Sequence, residues 1–80
     1  MAEPWLRINI LADEDAPFVV MFEPTGMTYD LKAGDKMSAD ISQLIVAELQ
    51  IIHWKGGISI WAPGPIITRD VDGNELHRLN

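Results

Sequence analysis

Ser38-Ala39-Asp40-Ile41-Ser42-Gln43-Leu44-Ile45-Val46-Ala47-Glu48-Leu49-Gln50-Ile51-Ile52-His53-Trp54-Lys55-Gly56-Gly57-Ile58-Ser59-Ile60-Trp61 is the stretch on which the fold class turns. Two periods compete in its first part. Ile41, Leu44, Ile45, Glu48, Leu49 and Ile52 follow i, i+3, i+4, i+7, i+8, i+11, one face of a helix with only Glu48 out of place. Asp40 with Gln43 has the spacing of a capping box, and Gly56-Gly57 would end such a helix. The strand template instead sets Ile45, Ala47, Leu49 and Ile51 on one face, with Glu48 and Gln50 between them. The later residues decide. Ile51-Ile52-His53-Trp54 is β-branched and aromatic. Lys55-Gly56-Gly57 followed by Ile58-Ser59-Ile60-Trp61 has the form of a hairpin. Strand is the expected state across 38–55.

The flanking segments agree. Leu6, Ile8 and Ile10 alternate with Trp5, Arg7 and Asn9, the period of a half-buried strand. Asp13-Glu14-Asp15-Ala16-Pro17 is an acidic turn, and Phe18 to Phe22 is too short a run for a helix, so a strand buried on both faces is expected there. Pro24-Thr25-Gly26 is a tight turn, Met27, Tyr29 and Leu31 begin another alternation, and Lys32-Ala33-Gly34-Asp35 turns again. Ala62-Pro63-Gly64-Pro65 is a loop, because two prolines so close prevent ladder pairing. Ile66 to Leu79 forms a last hairpin around Val71-Asp72-Gly73. A three-residue loop with Gly73 left-handed sets Arg69 opposite Glu75 and avoids facing Asp70 with that glutamate. The expected fold is all-β: one domain over 1–80, a small antiparallel sandwich or barrel of about seven short strands.

Charge and composition narrow the function. Six Lys and Arg against twelve Asp and Glu give a net charge of −6, which offers nothing for neutralising nucleic-acid phosphates or an anionic membrane face. No apolar run reaches the roughly 18–20 residues of a membrane helix. Met1-Ala2-Glu3-Pro4-Trp5 has an acid and a proline where a secretory leader has basic residues, so a cytoplasmic location is expected. Without cysteine there is no disulfide, no thiolate nucleophile and no thiolate metal site. A chain of this size buries only about 60% of its unfolded surface. With 48% hydrophobic residues, some apolar surface is expected to meet another copy or another protein.

Motifs for catalysis are thin. Asp70-Val71-Asp72-Gly73-Asn74-Glu75 begins like a calcium loop, but its sixth position is Glu75 rather than glycine and its twelfth falls beyond Asn80; a polar hairpin tip is expected. His53 and His77 are too far apart for a local ligand motif, and His53, in an apolar strand, reads as structural. Ser38, Ser42 and Ser59 lack a nucleophile-elbow glycine pattern. The acids Asp13 to Asp15 read as a solvated loop. No catalytic residue, metal or cofactor is expected.

The tryptophans remain. With a two-residue Lys55-Gly56 turn, Gln50, Ile52 and Trp54 share a face with Ser59 and Trp61, while Leu49, Ile51, Ile58 and Ile60 share the other. The second set looks like core, leaving a tryptophan-bearing outer face. One residue more or less in the loop swaps Trp61 to the other side. Trp54, Trp61, Ile52 and Tyr29 are the candidate interface residues, since aromatic rings offer large contact area at low entropic cost.

The stretch Glu23-Pro24-Thr25-Gly26-Met27-Thr28-Tyr29-Asp30-Leu31-Lys32-Ala33-Gly34-Asp35 resembles a signature of small uncharacterised bacterial β proteins, in which a Glu-Pro-x-Gly turn leads into Tyr-x-Leu-x-x-Gly-Asp. The resemblance extends through the His53 to Trp61 hairpin and the Asp72-Gly73 turn, and it implies a fold without an activity. Tyr29-x-Leu31-x-x-Gly34-Asp35 is also similar to a strand-turn of cupin barrels, although the clustered His-x-His and glutamate of cupin chemistry are missing. The leading expectation is therefore a non-enzymatic β module that associates with itself or a protein partner through an apolar, tryptophan-containing face. The alternatives are a small domain binding carbohydrate or another apolar-faced ligand, and a metal-free cupin-like enzyme remnant using His53 or His77 as proton carrier.

Overall fold

The computed structural model describes residues 4–79; Met1-Ala2-Glu3, part of the opening read above for its lack of basic residues, lies outside them. Eight strands form: β1 (Trp5–Leu11), β2 (Phe18–Glu23), β3 (Met27–Leu31), β4 (Lys36–Ser42), β5 (Gln50–Trp54), β6 (Gly57–Trp61), β7 (Ile66–Arg69) and β8 (Glu75–Leu79). They build a small all-β sandwich of two sheets, ordered β1-β4-β7-β8 and β3-β2-β6-β5. Every pairing is antiparallel except β2 with β6, which run parallel. The expectation of antiparallel strands thus holds with that one exception.

Alternation decides which residues enter the core. Ile10, Met37, Ala39, Ile41, Ile66 and Leu79 come from the first sheet, and Val20, Phe22, Leu31 and Ile60 from the second. The run Phe18–Phe22 is buried chiefly on one side: Val20 and Phe22 are enclosed, whereas Phe18, Val19 and Met21 are half-buried. Burial on both faces, as read from the sequence, is therefore corrected. A two-layer sandwich covers only one face of each sheet.

The ambiguous stretch resolves into three pieces. β4 ends at Ser42, a 3₁₀ segment covers Gln43–Glu48, and β5 follows. The Ser42 hydroxyl caps the segment by accepting from the Leu44 N–H at 3.2 Å, and Leu49 N–H closes it on the Val46 carbonyl. Asp40 makes no capping box with Gln43; it lies inside β4 between two arginines. The helical spacing of Ile41 to Ile52 does not persist as a helix. None of the residues in 43–48 is buried, and Leu44 is 79% exposed, so no packed face supports further turns. Ile45 and Leu49 alone lean on the core.

The hairpins around Lys55-Gly56 and Val71-Asp72-Gly73 form as read. Trp54 pairs with Gly57 around Lys55-Gly56, with Gly56 at φ +92. In the last hairpin, Gly73 has φ +87 and Arg69 registers with Glu75, next to a bulge in β8. The expected Arg69–Glu75 ion pair does not form, since Arg69 turns to Asp40 and to the Gly73 carbonyl while Glu75 meets Arg78. At the tip, the Asp70 carboxylate accepts from the Asp72 and Asn74 N–H groups at 2.9 Å each. The loop thereby satisfies its own polar groups.

Replacing Gly73 by Ala is expected to destabilise the domain by about 1 kcal/mol, because a Cβ there meets open space but strains a left-handed backbone. Urea denaturation of the two proteins measures this; equal midpoints would show that the loop relaxes to another turn.

Candidate functional site

Because Val20, Phe22 and Ile60 point into the core, the alternate residues of the second sheet point outward. Register then sets them in rows across β2, β6 and β5: Val19, Gly57 and Trp54; Met21, Ser59 and Ile52; Glu23, Trp61 and Gln50. The face grouping expected of the tryptophan hairpin is the one observed. Small residues on the central strand lower the middle of this lattice. A shallow depression of about 410 Å³ results, lined by Met21, Glu23, Gln50, Ile52, Ser59 and Trp61.

Trp54 does two things at once. A Cβ added to Gly57 would fall 2.6 Å from the Trp54 ring and 2.5 Å from the Val19 carbonyl oxygen. The indole therefore lies directly over the Gly57 backbone, which is buried, while the ring remains 37% exposed. Trp61, at the other end of β6, is 36% exposed and sits between Glu23 and Gln50. Ile52 is 57% exposed. Together with Met21 these side chains make a contiguous apolar face.

Two sequence expectations are corrected here. Tyr29 is not part of this face. It registers with buried Val20 and so points inward, where its ring meets Phe22 edge-on at 5.7 Å between centroids. Its hydroxyl bridges the sheets, 2.8 Å from Thr68 Oγ1 and 2.9 Å from His77 Nδ1. A phenol has one proton, so it donates to one of these groups and accepts from the other. Burial raises the Tyr29 pKa, and the Thr68 hydrogen bond offsets this in part. Second, Ile51 shares a face with Ile58 and Ile60 as expected but is not core. It is 54% exposed, and His53 beside it is exposed rather than structural, because the facing sheet does not cover this edge. His53 on β5 and His77 on β8 lie in different sheets, and among the described residues no cluster of three His, Asp or Glu side chains could hold a metal.

Met21, Glu23, Gln50 and Ser59 are site residues that sequence reasoning missed or left unassigned. Met21 was concealed by the reading of Phe18–Phe22 as a fully buried run. Glu23 reaches the face only through the parallel β2–β6 register.

The first sheet presents a different outer face. Asp40 receives Arg7 Nε at 2.7 Å, Arg7 Nη2 at 3.1 Å and Arg69 Nε at 2.9 Å, across strands β1, β4 and β7. Hydrogen bonds from Arg7 hold the Asp40 pKa below its ordinary value; Arg69 adds to this, and burial opposes it. Trp5 is also on this side, opposite Ser42 at the start of β1. Of the two outer faces, the second sheet's is the one with no cation in its rows.

Gly57→Ala is expected to cost about 1–3 kcal/mol, since the backbone oxygen of Val19 cannot move aside as a flexible side chain would. The tryptophan fluorescence should change as Trp54 is lifted; unchanged stability and emission would contradict the close contact. Asp40→Asn should cost about 1–2 kcal/mol, discounted because Arg7 is half-exposed. The Asp40 carboxyl is more acidic folded than unfolded. Its contribution is thus fully present above the unfolded value near ~3.9 and is lost as pH falls through the folded one. Acid unfolding of wild type and Asp40→Asn should converge at low pH; a constant stability gap down to the acid limit would exclude this source.

No family model matches the chain, and no curated protein or solved structure matches it.

Proposed function

We propose that this protein is a non-enzymatic β module that works by association, through the outer face of the β3-β2-β6-β5 sheet. One observation carries the reading. Ile52, Trp54 and Trp61 are more than a third exposed and contiguous with Met21, on the one sheet face whose centre is free of cations. Scattered exposed apolar residues are ordinary on small proteins, but a joined patch with two tryptophans is the make-up of an interaction surface. The acids support it by their placement. Asp13 to Asp15, Asp70 and Asp72 lie in turns outside the sheet rows, and the acids on the face, Glu23 and Asp30, lie at its ends in the rows of Trp61 and Val19. A net charge of −6 therefore opposes approach weakly once screened over a Debye length of roughly 8 Å.

A second reading has its own observation. Trp61 is flanked in register by Glu23 and Gln50, with the Ser59 hydroxyl lining the same depression. An aromatic plate beside a carboxylate, an amide and a hydroxyl suits a carbohydrate ring. The depression is shallow, which favours the macromolecular contact.

Light scattering over a dilution series tests the leading reading. Wild type is expected to be a dimer at micromolar concentration that dissociates on dilution. Ile52→Glu, which places a charge at the centre of the patch, should weaken association at least about tenfold. A wild type that stays monomeric at its highest soluble concentration overturns self-association through this face. Saturable binding of an oligosaccharide by that monomer, lost in Trp61→Ala, would establish the second reading.

A further inference from the structure

We infer that the partner is a second copy of this chain, joined edge to edge along β5 in an antiparallel two-fold arrangement centred on Ile52. The inference rests on the reading of this sheet as the associating one and places the contact at its β5 margin, where Ile52 and Trp54 stand, leaving Trp61 on interior strand β6 outside it.

β5 is an anomalous edge. It supplies no residue to the core cluster or to the hydrophobics packed against it, and all five of its residues are exposed. Its sequence, Gln50-Ile51-Ile52-His53-Trp54, contains neither a proline nor a Lys, Arg, Asp or Glu. Sheet edges of soluble proteins are ordinarily protected by charge, bulge or cover. The other three edges have such protection: Arg7 in the middle of β1, Asp30 in β3, and Glu75, Arg78 and a bulge in β8. Only β5 is left without a Lys, Arg, Asp, Glu, proline or bulge along it.

The direction of its free hydrogen-bonding groups follows from the neighbouring strand. Val19 N–H takes the Gly56 carbonyl, and Ala62 N–H takes the Glu23 carbonyl. Even-numbered residues of β6 thus aim their backbone groups at β2, and odd-numbered Gly57, Ser59 and Trp61 aim theirs at β5. Their register partners Trp54, Ile52 and Gln50 return those bonds. The N–H and C=O groups of Ile51 and His53 consequently face away from the sheet.

A two-fold axis normal to the sheet keeps outer face with outer face, so residues of equal parity pair. Centred on Ile52, it uses the whole strand. Ile51 exchanges both backbone bonds with the partner's His53, Ile52 meets the partner's Ile52, and Gln50 lies against the partner's Trp54. Charge selects the direction. Glu48 precedes β5 and Lys55 follows it. Antiparallel pairing brings the acidic end of one copy to the basic end of the other, whereas parallel pairing would set like charges together. The product is a continuous eight-stranded sheet with the tryptophan face doubled in length.

Amide hydrogen exchange on wild type, in dilute and concentrated solution, tests this without altering the protein. Protection of the Ile51 and His53 amides should rise with concentration, by about tenfold or more. The Gln50, Ile52 and Trp54 amides, bonded to β6 in either state, set the local baseline. A dimer whose Ile51 and His53 amides exchange at unchanged rates overturns the edge geometry; if Ile52→Glu still dissociates it, the face reading stands. A wild type that is monomeric at its highest soluble concentration overturns both. His53→Pro supplies an independent check, since it removes an outward N–H and no bond to β6. It is expected to be monomeric with the wild-type circular dichroism spectrum, while Trp61→Glu remains dimeric. A folded His53→Pro dimer, or a Trp61→Glu monomer, overturns the proposal.

Discussion

The parallel pairing of β2 with β6 is the constraint on which the second sheet depends. Each strand belongs to its own antiparallel hairpin, β2 with β3 and β6 with β5. Neither hairpin alone could persist in water, since an isolated pair of strands is marginal at best. Joined through Val19–Gly57 to Glu23–Trp61, they become a four-stranded layer able to close over the first sheet. The joint needs a close approach at its start. Gly57 provides this: its missing side chain lets the Val19 carbonyl and the Trp54 ring occupy the space a Cβ would fill.

The same joint creates the candidate site. Val20, Phe22 and Ile60 turn inward and fix the sandwich, so Met21, Glu23, Ser59 and Trp61 must turn outward together. Stability and surface are thus two sides of one register. A slip by one residue would exchange them, burying Glu23 and exposing Phe22. Tyr29 shows the division clearly. Two strands from Trp61 and three from Trp54, it faces the other direction and ties the sheets together through Thr68 and His77.

The two outer faces handle solvent differently. On the first sheet, Asp40 is held by arginines from both neighbouring strands, a charged network that water and salt can reach only on the Arg side. On the second, Met21, Ile52, Trp54 and Trp61 form an apolar stretch with acids but no cation beside it, and the edge strand β5 contributes nothing to the core. A strand kept at the margin with Ile51, Ile52 and Trp54 exposed stabilises the monomer little.

Much of the fold was legible in the sequence because turns are local. Lys55-Gly56 and Val71-Asp72-Gly73 fix their hairpin registers through chain geometry alone, and the alternation in Leu6 to Ile10 names the buried side of β1. Gln50, Ile52, Trp54, Ser59 and Trp61 could therefore be set on one face before any tertiary contact was known. Distant partners were not legible. Nothing near Phe18–Phe22 states whether one or two layers will cover it, so Met21 was read as core. Nothing near Tyr29 or Ile51 tells which way the facing sheet extends, so one was placed outside and the other inside. The helical spacing from Ile41 to Ile52 describes a pattern that packing never uses, because strand pairing claims both of its ends. Local geometry determined the strands, their turns and the tryptophan face; the tertiary structure decided burial and the free edge, since both depend on which sheet lies opposite.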